Sequence, residues 1–283
     1  HERCDATIFS SVGEEIPQHM SAVSQDWRTL VAPYTEYVDY PVHMQRLIWL
    51  MEFIQSNRPA DGSSIRILDV GCGTGNITIP LGLLPNAQVV GIDMFQPNID
   101  LVQERNTLAN VSVQFSRLSD FDVAGFDFII FTEVLEHIPG YGEIIQDLSD
   151  RMKPSAQILV TIPNGWGPFE WAMMPMYFMR RIGLNGFIGK VKKLLGKKEP
   201  YALNQEIDPH VNFFTRRQLK RDSEQYNLTL SAISPAFLFA PIMETYLPFI
   251  ALQKIAPRDY KFARKLPIWM ASGWYFSWKK KTL

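Results

Sequence analysis

Apolar residues recur at helical spacing in some segments of this chain and form short unbroken runs in others. In the first such segment they lie three or four residues apart, at Met44, Leu47, Ile48, Met51 and Ile54. This spacing predicts a helix over residues 40–57. The next apolar run, Ile65 to Val70, is short and rich in branched side chains, which is typical of a strand. Because glycines cluster at 71–75 directly after it, the sequence predicts a strand, a glycine loop and a second helix.

The alternation of strands and helices continues towards the C-terminus. Further strands are predicted at 88–92, 111–115, 126–131, 156–162, 228–233 and 273–278, and helices at 97–109, 141–152 and 215–226. Strands that alternate with helices in this way form a parallel sheet covered on both faces. The predicted fold class is α/β, with a doubly wound, mostly parallel, seven-stranded sheet. Helical insertions are expected after the fifth strand and between the last two strands.

Composition and charge exclude several classes of protein. Of the 283 residues, 46% are hydrophobic and 20% are charged, which excludes a disordered chain. The formal net charge of −1 provides no overall field for a polyanion, so no nucleic-acid partner is expected. Cys4 and Cys72 lie far apart and lack metal-ligand spacing, which argues against a disulfide framework and favours a cytoplasmic location. Neither a signal peptide nor a membrane-spanning helix is predicted.

The glycine loop is the clearest candidate binding site. It reads Asp69-Val70-Gly71-Cys72-Gly73-Thr74-Gly75, and such a loop lets backbone amides approach a ligand closely. A dinucleotide fingerprint would require a glycine at position 76, where this chain has Asn76. Asp93 ends the second predicted strand, where a carboxylate can accept hydrogen bonds from ribose hydroxyls. Dinucleotide-binding enzymes also place an acid at this position, so Asp93 alone does not identify the ligand. Asn76, however, argues against a dinucleotide.

These motifs together resemble those of a known family. The glycine loop resembles the first motif of the class I S-adenosylmethionine-dependent methyltransferases. Glu133-Val134-Leu135-Glu136-His137 is similar to the E-x-L-E-H segment of the ubiquinone-biosynthesis O-methyltransferases and their relatives. Three later segments are also similar to that group: Lys153-Pro154, Thr161-Ile162-Pro163-Asn164, and His210-Val211-Asn212-Phe213-Phe214. The resemblance covers residues 62–165 and 208–233 and implies a Rossmann-like methyltransferase fold.

The resemblance also implies S-adenosyl-L-methionine as cofactor and a set of residues that hold it. These are Asp69, Gly71, Cys72, Gly73, Gly75, Asp93, Met94, Leu118, Ser119, Thr132 and Glu133. Many relatives place an acid after the third strand to pair with the adenine amino group, whereas this chain reads Arg117-Leu118-Ser119-Asp120 there. Ser119 with the backbone at Leu118 is therefore expected at the adenine, and Asp120 is the alternative.

His210 is the predicted catalytic residue. Its imidazole titrates near neutrality, and the resemblance places it on the substrate side of the crevice, where it would remove a proton from the acceptor. An ordering hydrogen bond to a loop is an equal alternative for His210, and Glu206 and Asp208 are reserve bases. His137 is interpreted as a structural residue. Because the histidines and acids are scattered singly in the sequence, no metal site is predicted.

Two segments are basic and rich in large apolar side chains. Residues 166–200 carry seven basic and two acidic side chains, and residues 254–283 carry eight basic side chains against Asp259 alone. A basic amphipathic helix with aromatic residues such as Trp269, Trp274, Tyr275 and Trp278 is typical of a segment that lies on an anionic membrane. A lid over the active site or a contact between two subunits of a homodimer is the alternative for 166–200.

These observations predict four segments and one activity. The segments are an N-terminal helical cap (1–61), a cofactor-binding core (62–165), a basic insertion (166–207) and a C-terminal part of the core (208–283) with a second insertion at 234–266. The predicted activity is O-methylation of a hydrophobic small molecule, such as a quinone precursor, a lipid or a polyketide-like acceptor. The rivals are an N-methyltransferase, a methyltransferase for a lipid-linked sugar, and a non-catalytic cofactor-binding subunit on a membrane or partner. The predicted location is cytoplasmic, with the inner face of a membrane as a peripheral site.

Overall fold

A seven-stranded sheet forms the centre of the computed structural model, which describes residues 26–181, 210–246 and 249–281. Its strands are β1 (Ile65–Val70), β2 (Ala87–Asp93), β3 (Val111–Phe115), β4 (Phe128–Thr132), β5 (Gln157–Pro163), β6 (Leu228–Pro235) and β7 (Gly273–Lys280). The spatial order is β3-β2-β1-β4-β5-β7-β6. The first five strands pair in parallel, whereas β7 lies antiparallel between β5 and β6. The predicted fold class is confirmed.

Nine helices are described around this sheet. They are α1 (Trp27–Val31), α2 (Pro41–Asn57), α3 (Thr78–Leu81), α4 (Gln96–Arg105), α5 (Tyr141–Arg151), α6 (Pro168–Arg181), α7 (Arg216–Gln225), α8 (Ala240–Tyr246) and α9 (Phe249–Ala263). The order reverses at β1, since β2 lies on one side of it and β4 on the other. A ligand crevice is expected at such a switch point, beyond the carboxyl ends of the strands.

Apolar side chains cover both faces of the sheet. On one face, α2 buries Leu47, Leu50 and Met51 against the sheet. On the other, Ile145 of α5 and Leu219 of α7 pack against the central strands; all five side chains are fully buried. Because both faces are covered, the central strands are near-continuous apolar runs, and this is why the sequence predicted them well.

Two predicted boundaries differ from the structure for local reasons. The helix predicted over 97–109 ends at Arg105, because the Asn106 side chain hydrogen-bonds the backbone of Leu108 and Val111 and turns the chain. The strand predicted from residue 126 begins at Phe128. Phe126 lies before the strand and is buried in the apolar core, where its ring centroid is 5.8 Å from that of Phe121 and the Arg66 guanidinium lies 4.4 Å above it.

Helices occupy both predicted insertions. The described part of the first is α6, while residues 182–209 lie outside the described residues, as do the reserve bases Glu206 and Asp208. The second insertion contains α8 and α9. Asp259 of α9 is buried and accepts hydrogen bonds from the N–H groups of Leu238, Phe239 and Ala240, so it fastens α9 to the start of α8.

The aromatic residues of the C-terminal segment are not a membrane-facing set, which corrects the sequence interpretation. Trp274, Tyr275 and Trp278 belong to β7 and are at most 2% exposed. They are buried because β7 lies between two other strands and both of its faces are covered. Trp269, which precedes the strand, is exposed. Among the described helices, none is long and apolar enough to cross a bilayer.

Candidate active site

The glycine loop makes a tight turn between β1 and α3. The N–H groups of Gly71 and Cys72 both donate to the carbonyl oxygen of Ile92, at 2.8 and 3.0 Å, which holds the loop against β2. Gly73 has φ +50°, a conformation that disfavours side chains, and a Cβ placed on it would meet nothing within 4 Å. The outer face of the loop is therefore open at Gly73, and the role of this residue in binding a ligand stays a prediction.

Asp69 lies beneath this loop at the end of β1. Its side chain is fully buried, and one carboxylate oxygen accepts a 2.6 Å hydrogen bond from the Thr78 hydroxyl. The other oxygen, Oδ1, has no hydrogen-bond partner among the described residues. Burial raises the pKa of Asp69 to about 7, and the negative charge of Asp93 adds to this rise. A buried carboxylate with a free oxygen suits the ammonium group of an amino-acid ligand.

Asp93 connects β2 to the glycine loop. Its carboxylate accepts hydrogen bonds from the N–H groups of Gly73 and Phe95, each at 2.8 Å. Met94, which follows it, is 62% exposed. Asp93 thus supports the loop, and it lies at the edge of the sheet where the sequence predicted a ribose contact.

The predicted adenine residues lie after the neighbouring strand, β3. Ser116 donates its backbone N–H to the carbonyl oxygen of Asp93 at 3.1 Å, so the end of β3 is held beside the ribose position. Leu118 is buried, and its carbonyl oxygen accepts a hydrogen bond from Arg151 at 3.0 Å. The Ser119 hydroxyl is exposed and donates to Asp120 at 2.9 Å. The adenine assignment to Leu118 and Ser119 stays a prediction.

Thr132 and Glu133 end β4 on the opposite side of the glycine loop. Glu133 has φ +54°, which is unusual for a residue with a side chain and marks a constrained position. Its carboxylate pairs with the buried Arg46 of α2 at 3.2 Å and accepts a hydrogen bond from the Thr161 hydroxyl at 3.0 Å. The sequence did not indicate Arg46, because its partner is 87 positions away.

The structure brings together three residues that are scattered in the sequence. Glu136, His137 and His210, here called the histidine cluster, each offer one ligand atom, and these atoms lie within 4.8 Å of one another. Glu136 is fully buried, and neither of its carboxylate oxygens has a hydrogen-bond partner among the described residues. Burial, helped by the negative charge of Glu133, raises the pKa of Glu136 well above its usual value.

The histidine cluster bears on two sequence interpretations, which stay predictions. A carboxylate and two imidazoles at this separation form a candidate site for a divalent cation, although their spacing in the sequence predicted none. His137, interpreted as structural, is a member of the cluster, and its ring lies edge-on to that of His210 with the centroids 5.0 Å apart. Sequence reasoning missed the cluster because Glu136 and His210 are joined by tertiary contacts, including hydrogen bonds from the N–H groups of Val211 and Asn212 to the Glu136 carbonyl oxygen.

The histidine cluster lies beside the cofactor loop. A Cβ on Gly71 would come within 2.8 Å of Val134, so the glycine loop packs directly on the segment that leads to Glu136. From the other side, Glu170 of α6 contacts the Nδ1 atom of His210 at 2.9 Å. The segment of Glu136 and His137, which His210 contacts, therefore lies next to the glycine loop.

The N-terminal helices close the back of the glycine loop through Asn76. Its side-chain oxygen accepts a 2.8 Å hydrogen bond from the Glu36 N–H, and its backbone carbonyl accepts one from the Thr35 hydroxyl at 3.1 Å. Arg105 of α4 pairs with Glu36 at 3.3 Å and donates to the Thr74 carbonyl oxygen. Asn76, which argues against a dinucleotide fingerprint, therefore connects the glycine loop to the N-terminal helices.

Exposed aromatic side chains border the crevice near α6. Trp166, Trp171, Phe213 and Trp269, here called the aromatic rim, are 48–65% exposed. Asn164 holds part of the rim together, since its side chain accepts a hydrogen bond from the Trp166 N–H and donates one to the Trp269 carbonyl oxygen. An apolar rim next to the site suits an apolar ligand or surface.

A comparison with protein families matches residues 42–233 to the family described as "Methyltransferase domain". The chain belongs to this family. The match includes the glycine loop, the histidine cluster and β6. The prediction of a class I S-adenosylmethionine-dependent methyltransferase fold, with the cofactor that this fold implies, is confirmed at the level of family.

Curated relatives agree with the resemblance seen in the sequence. A ubiquinone biosynthesis O-methyltransferase of Bartonella tribocorum is 27% identical over 188 residues, which cover 61% of this chain and 73% of the relative. The mitochondrial ubiquinone biosynthesis O-methyltransferase of Mus musculus is 36% identical over 110 residues, which cover 36% of this chain and 30% of the relative. The match to the mouse protein therefore spans less than a third of that protein's length.

Solved structures share the fold at low identity. A putative sarcosine dimethylglycine methyltransferase from Galdieria sulphuraria has a TM-score of 0.55 and 12% identity, covering 86% of this chain and 91% of the other. The magnesium protoporphyrin IX methyltransferase from Synechocystis PCC 6803, with bound SAH, has a TM-score of 0.50 and 12% identity, covering 85% and 84%. At these identities the likeness supports the fold alone.

Proposed function

We propose that this protein transfers the methyl group of S-adenosylmethionine to an oxygen atom of a hydrophobic small molecule, such as a quinone precursor, a lipid or a polyketide-like acceptor. The observation that carries the proposal is that His210 contacts Glu170, the neighbour of Trp171 in the aromatic rim, and that its own chain segment is hydrogen-bonded to Glu136, two residues after the Val134 that packs on the glycine loop. The names of the ubiquinone O-methyltransferase relatives support oxygen as the methylated atom.

The residues of the crevice fit the cofactor and the reaction. Asp69, with its unpartnered oxygen, would hold the amino group, Asp93 the ribose, and the open face of Gly73 the amino-acid part. When bound, S-adenosylmethionine supplies an electrophilic methyl group on a sulfonium. His210 would take the proton of the acceptor hydroxyl, because the attacking oxygen is a far better nucleophile once its proton is leaving. The rim would exclude water and align the acceptor.

A divalent cation at the histidine cluster is a second way to activate the same oxygen. The fully buried carboxylate of Glu136 favours it: among the described residues its oxygens accept no hydrogen bond, and one of them lies 4.0 Å from Nε2 of His137. A buried acid without hydrogen bonds is costly unless a proton or a cation compensates it. Such a cation would lower the pKa of a bound hydroxyl and orient a catechol. Calorimetric titration of the EDTA-treated protein with Mg²⁺, Mn²⁺ and Zn²⁺ tests it. Binding that is lost in Glu136→Gln supports the site, and no binding of any of the three excludes it.

The test of the main proposal has two steps. Calorimetric titration of S-adenosylmethionine comes first, and absence of binding would end the methyltransferase proposal. In the second step the protein is offered 4-octylcatechol and 4-octylaniline, and the products are identified by mass spectrometry. Methylation of the catechol oxygen supports the proposal, and methylation of the aniline alone favours an N-methyltransferase. If neither compound is methylated unless a second protein is added, the result favours a non-catalytic cofactor-binding subunit. Methylation of a lipid-linked sugar, offered separately, favours a methyltransferase for that class of acceptor.

Association with the inner, anionic face of a membrane, as a peripheral cytoplasmic protein, is part of the proposal. Lys254, Arg258, Lys261 and Lys265 are exposed and three or four positions apart, so they lie on one side of α9 and its end. Asp259, the acid of this segment, is buried and occupied by backbone N–H groups, so it does not offset these charges at the surface. The helix α8 contacts both α6, which carries Trp171 of the rim, and α9, which carries most of the basic stripe, and this supports a shared surface.

Vesicle binding tests this part of the proposal. Association with phosphatidylglycerol vesicles is expected to fall with added salt, because the basic stripe acts through charge. Replacing Lys254, Arg258 and Lys261 by Gln should weaken it, whereas replacing the exposed Arg216, Arg217 and Lys220 of α7 is the matched control. Equal losses in both triple variants would show that the stripe has no special role. A homodimer formed through α6 is the alternative to membrane association. We expect such a dimer to persist at high salt, and sedimentation would detect it.

A further inference from the structure

We infer that Glu170 is the positioning residue for His210, so that the insertion helix α6 supplies part of the active centre. The inference rests on the proposed function in one respect, namely that His210 acts on the acceptor oxygen. No resemblance in the sequence pointed to Glu170, which lies outside the recognised motifs.

The contact between the two side chains is short and buried. An oxygen of the Glu170 carboxyl lies 2.9 Å from Nδ1 of His210. The Glu170 residue is 3% exposed, and the His210 side chain is 15% exposed. Because carboxylate oxygens accept hydrogen bonds, the contact favours the ring tautomer in which Nδ1 carries the proton and donates it to Glu170. In that tautomer the lone pair of the ring is on Nε2, so the contact with Glu170 sets the direction in which this atom points.

Different parts of the fold fix the backbone and the ring of His210. After His210, the N–H groups of Val211 and Asn212 donate to the Glu136 carbonyl oxygen, at 2.9 and 3.1 Å. The Asn212 side chain also donates to the carbonyl oxygens of Leu135 and Ile138. These bonds come from the loop after β4 and hold the main chain. The ring is held by Glu170 from α6, so the orientation of Nε2 depends on how α6 is seated.

Packing alone does not account for a carboxylate at position 170. Burying an acid is costly, and a well-packed apolar residue of similar volume is usually at least as stabilising. The second carboxylate oxygen, Oε2, has no hydrogen-bond partner among the described residues, so the His210 contact is the polar interaction that the structure shows for this side chain. An acid that orients a histidine explains both its burial and its direction.

The placement also connects the surface to the active centre. Glu170 lies in the first turn of α6 and faces inward, whereas its neighbour Trp171 belongs to the exposed aromatic rim. Because the two residues are neighbours in one helix, an acceptor or a surface that fixes the position of Trp171 also fixes the position of Glu170. The ring of His210 is then best aligned when α6 is packed against the rest of the protein.

The first experiment needs no acceptor. Protein labelled with ¹⁵N-histidine is studied by NMR at pH 8 in EDTA, and the His210 signals are assigned by their loss in His210→Gln. Wild type is expected to show the tautomer with the proton on Nδ1, and Glu170→Gln should reduce its population, because an amide can either donate or accept. A wild-type ring with the proton on Nε2, or an unchanged tautomer in Glu170→Gln, would overturn the inference.

The second experiment is a double-mutant cycle on turnover of 4-octylcatechol. Glu170→Gln is expected to lower kcat about 10- to 100-fold, the usual effect of losing the partner of a functional histidine. The dissociation constant of S-adenosylmethionine should stay within about twofold. In the His210→Gln background, Glu170→Gln should have no further effect. Glu143→Gln is the matched control, since Glu143 is an exposed acid in the first turn of α5.

The outcomes separate this inference from the proposed function. Equal losses from Glu170→Gln in both backgrounds would show a purely structural role and overturn the inference. Full activity of His210→Gln would overturn the role of His210 in the reaction, and the NMR result would still decide whether Glu170 orients the ring. If no variant turns over the catechol, the tautomer measurement alone decides.

Discussion

The buried acid Asp69 should make the folding stability of this protein depend on pH in a specific window. Burial raises its pKa to about 7, whereas the unfolded chain titrates near 3.9. The folded protein therefore holds this proton over a range in which the unfolded chain has released it. Because the folded state binds more protons there, stability falls as pH rises through this window and stops falling above about pH 7.

The linkage relation gives the size of the effect. Between pH 5 and pH 8, a folded pKa of about 7 and an unfolded value of about 3.9 correspond to a loss of about 2–3 kcal/mol of unfolding free energy. Asp69→Asn removes the titration, and its amide oxygen can still accept from the Thr78 hydroxyl. The variant should lose about 2–3 kcal/mol less than wild type between these two pH values.

Urea unfolding followed by circular dichroism measures this difference without ligand. Wild type and Asp69→Asn are unfolded at pH 5 and pH 8, and the change with pH is compared between them. Other buried acids with raised pKa, such as Glu136 and Asp222, contribute equally to both proteins and cancel. If the two proteins lose the same stability between pH 5 and pH 8, Asp69 does not titrate there and the reasoning is wrong.

Three further variants test the geometry of the site. Asp93→Ala should weaken S-adenosylmethionine binding by about 1–3 kcal/mol in calorimetry, because charge-assisted hydrogen bonds are lost. The control is Asp100→Ala, at an exposed position of α4, and equal affinities in the two variants would refute the ribose role of Asp93. Gly73→Ala should lower the unfolding free energy by only about 1 kcal/mol, because alanine disfavours the positive φ at this position. It should weaken cofactor binding at least tenfold, since the added Cβ would enter the open space beside the loop, and unchanged affinity would show that no ligand approaches there. Arg46→Met should cost about 1–3 kcal/mol of stability by leaving Glu133 unpaired, and adding Glu133→Gln should recover part of it; additive losses in the double variant would contradict the pairing.

The sequence allowed a good prediction of the fold because its strands are buried on both faces. Ile65–Val70 is mostly apolar, interrupted by Arg66 and Asp69, and the first four residues of Phe128–Thr132 are all apolar; polar or glycine residues follow each strand. The helix after the glycine loop was predicted less well. It is only four residues long, Thr78–Leu81, because Gly82 caps it at once and Pro80 lies inside it.

The candidate site was predictable where its residues are neighbours in the chain. Asp69, the glycines and Asp93 lie in two short motifs at strand ends, so their proximity follows from parallel pairing of β1 and β2. Their roles towards the cofactor stay predictions. Trp274, Tyr275 and Trp278 show the opposite case, since the same aromatic residues suit a membrane surface or a buried strand. Only the position of β7 between β5 and β6 determines that they are buried.

Sequence by itself therefore determined the α/β class, the alternation of strands and helices, and the family, because periodicity and motif spacing are local properties of the chain. The tertiary structure alone decided that Glu136, His137 and His210 meet, that Glu170 contacts His210, and that Arg46 pairs with Glu133. These contacts join residues on α2, α6 and the loops after β4 and before α7. Such contacts cannot be predicted from the spacing of the residues in the sequence, because the packing of helices against the sheet creates them.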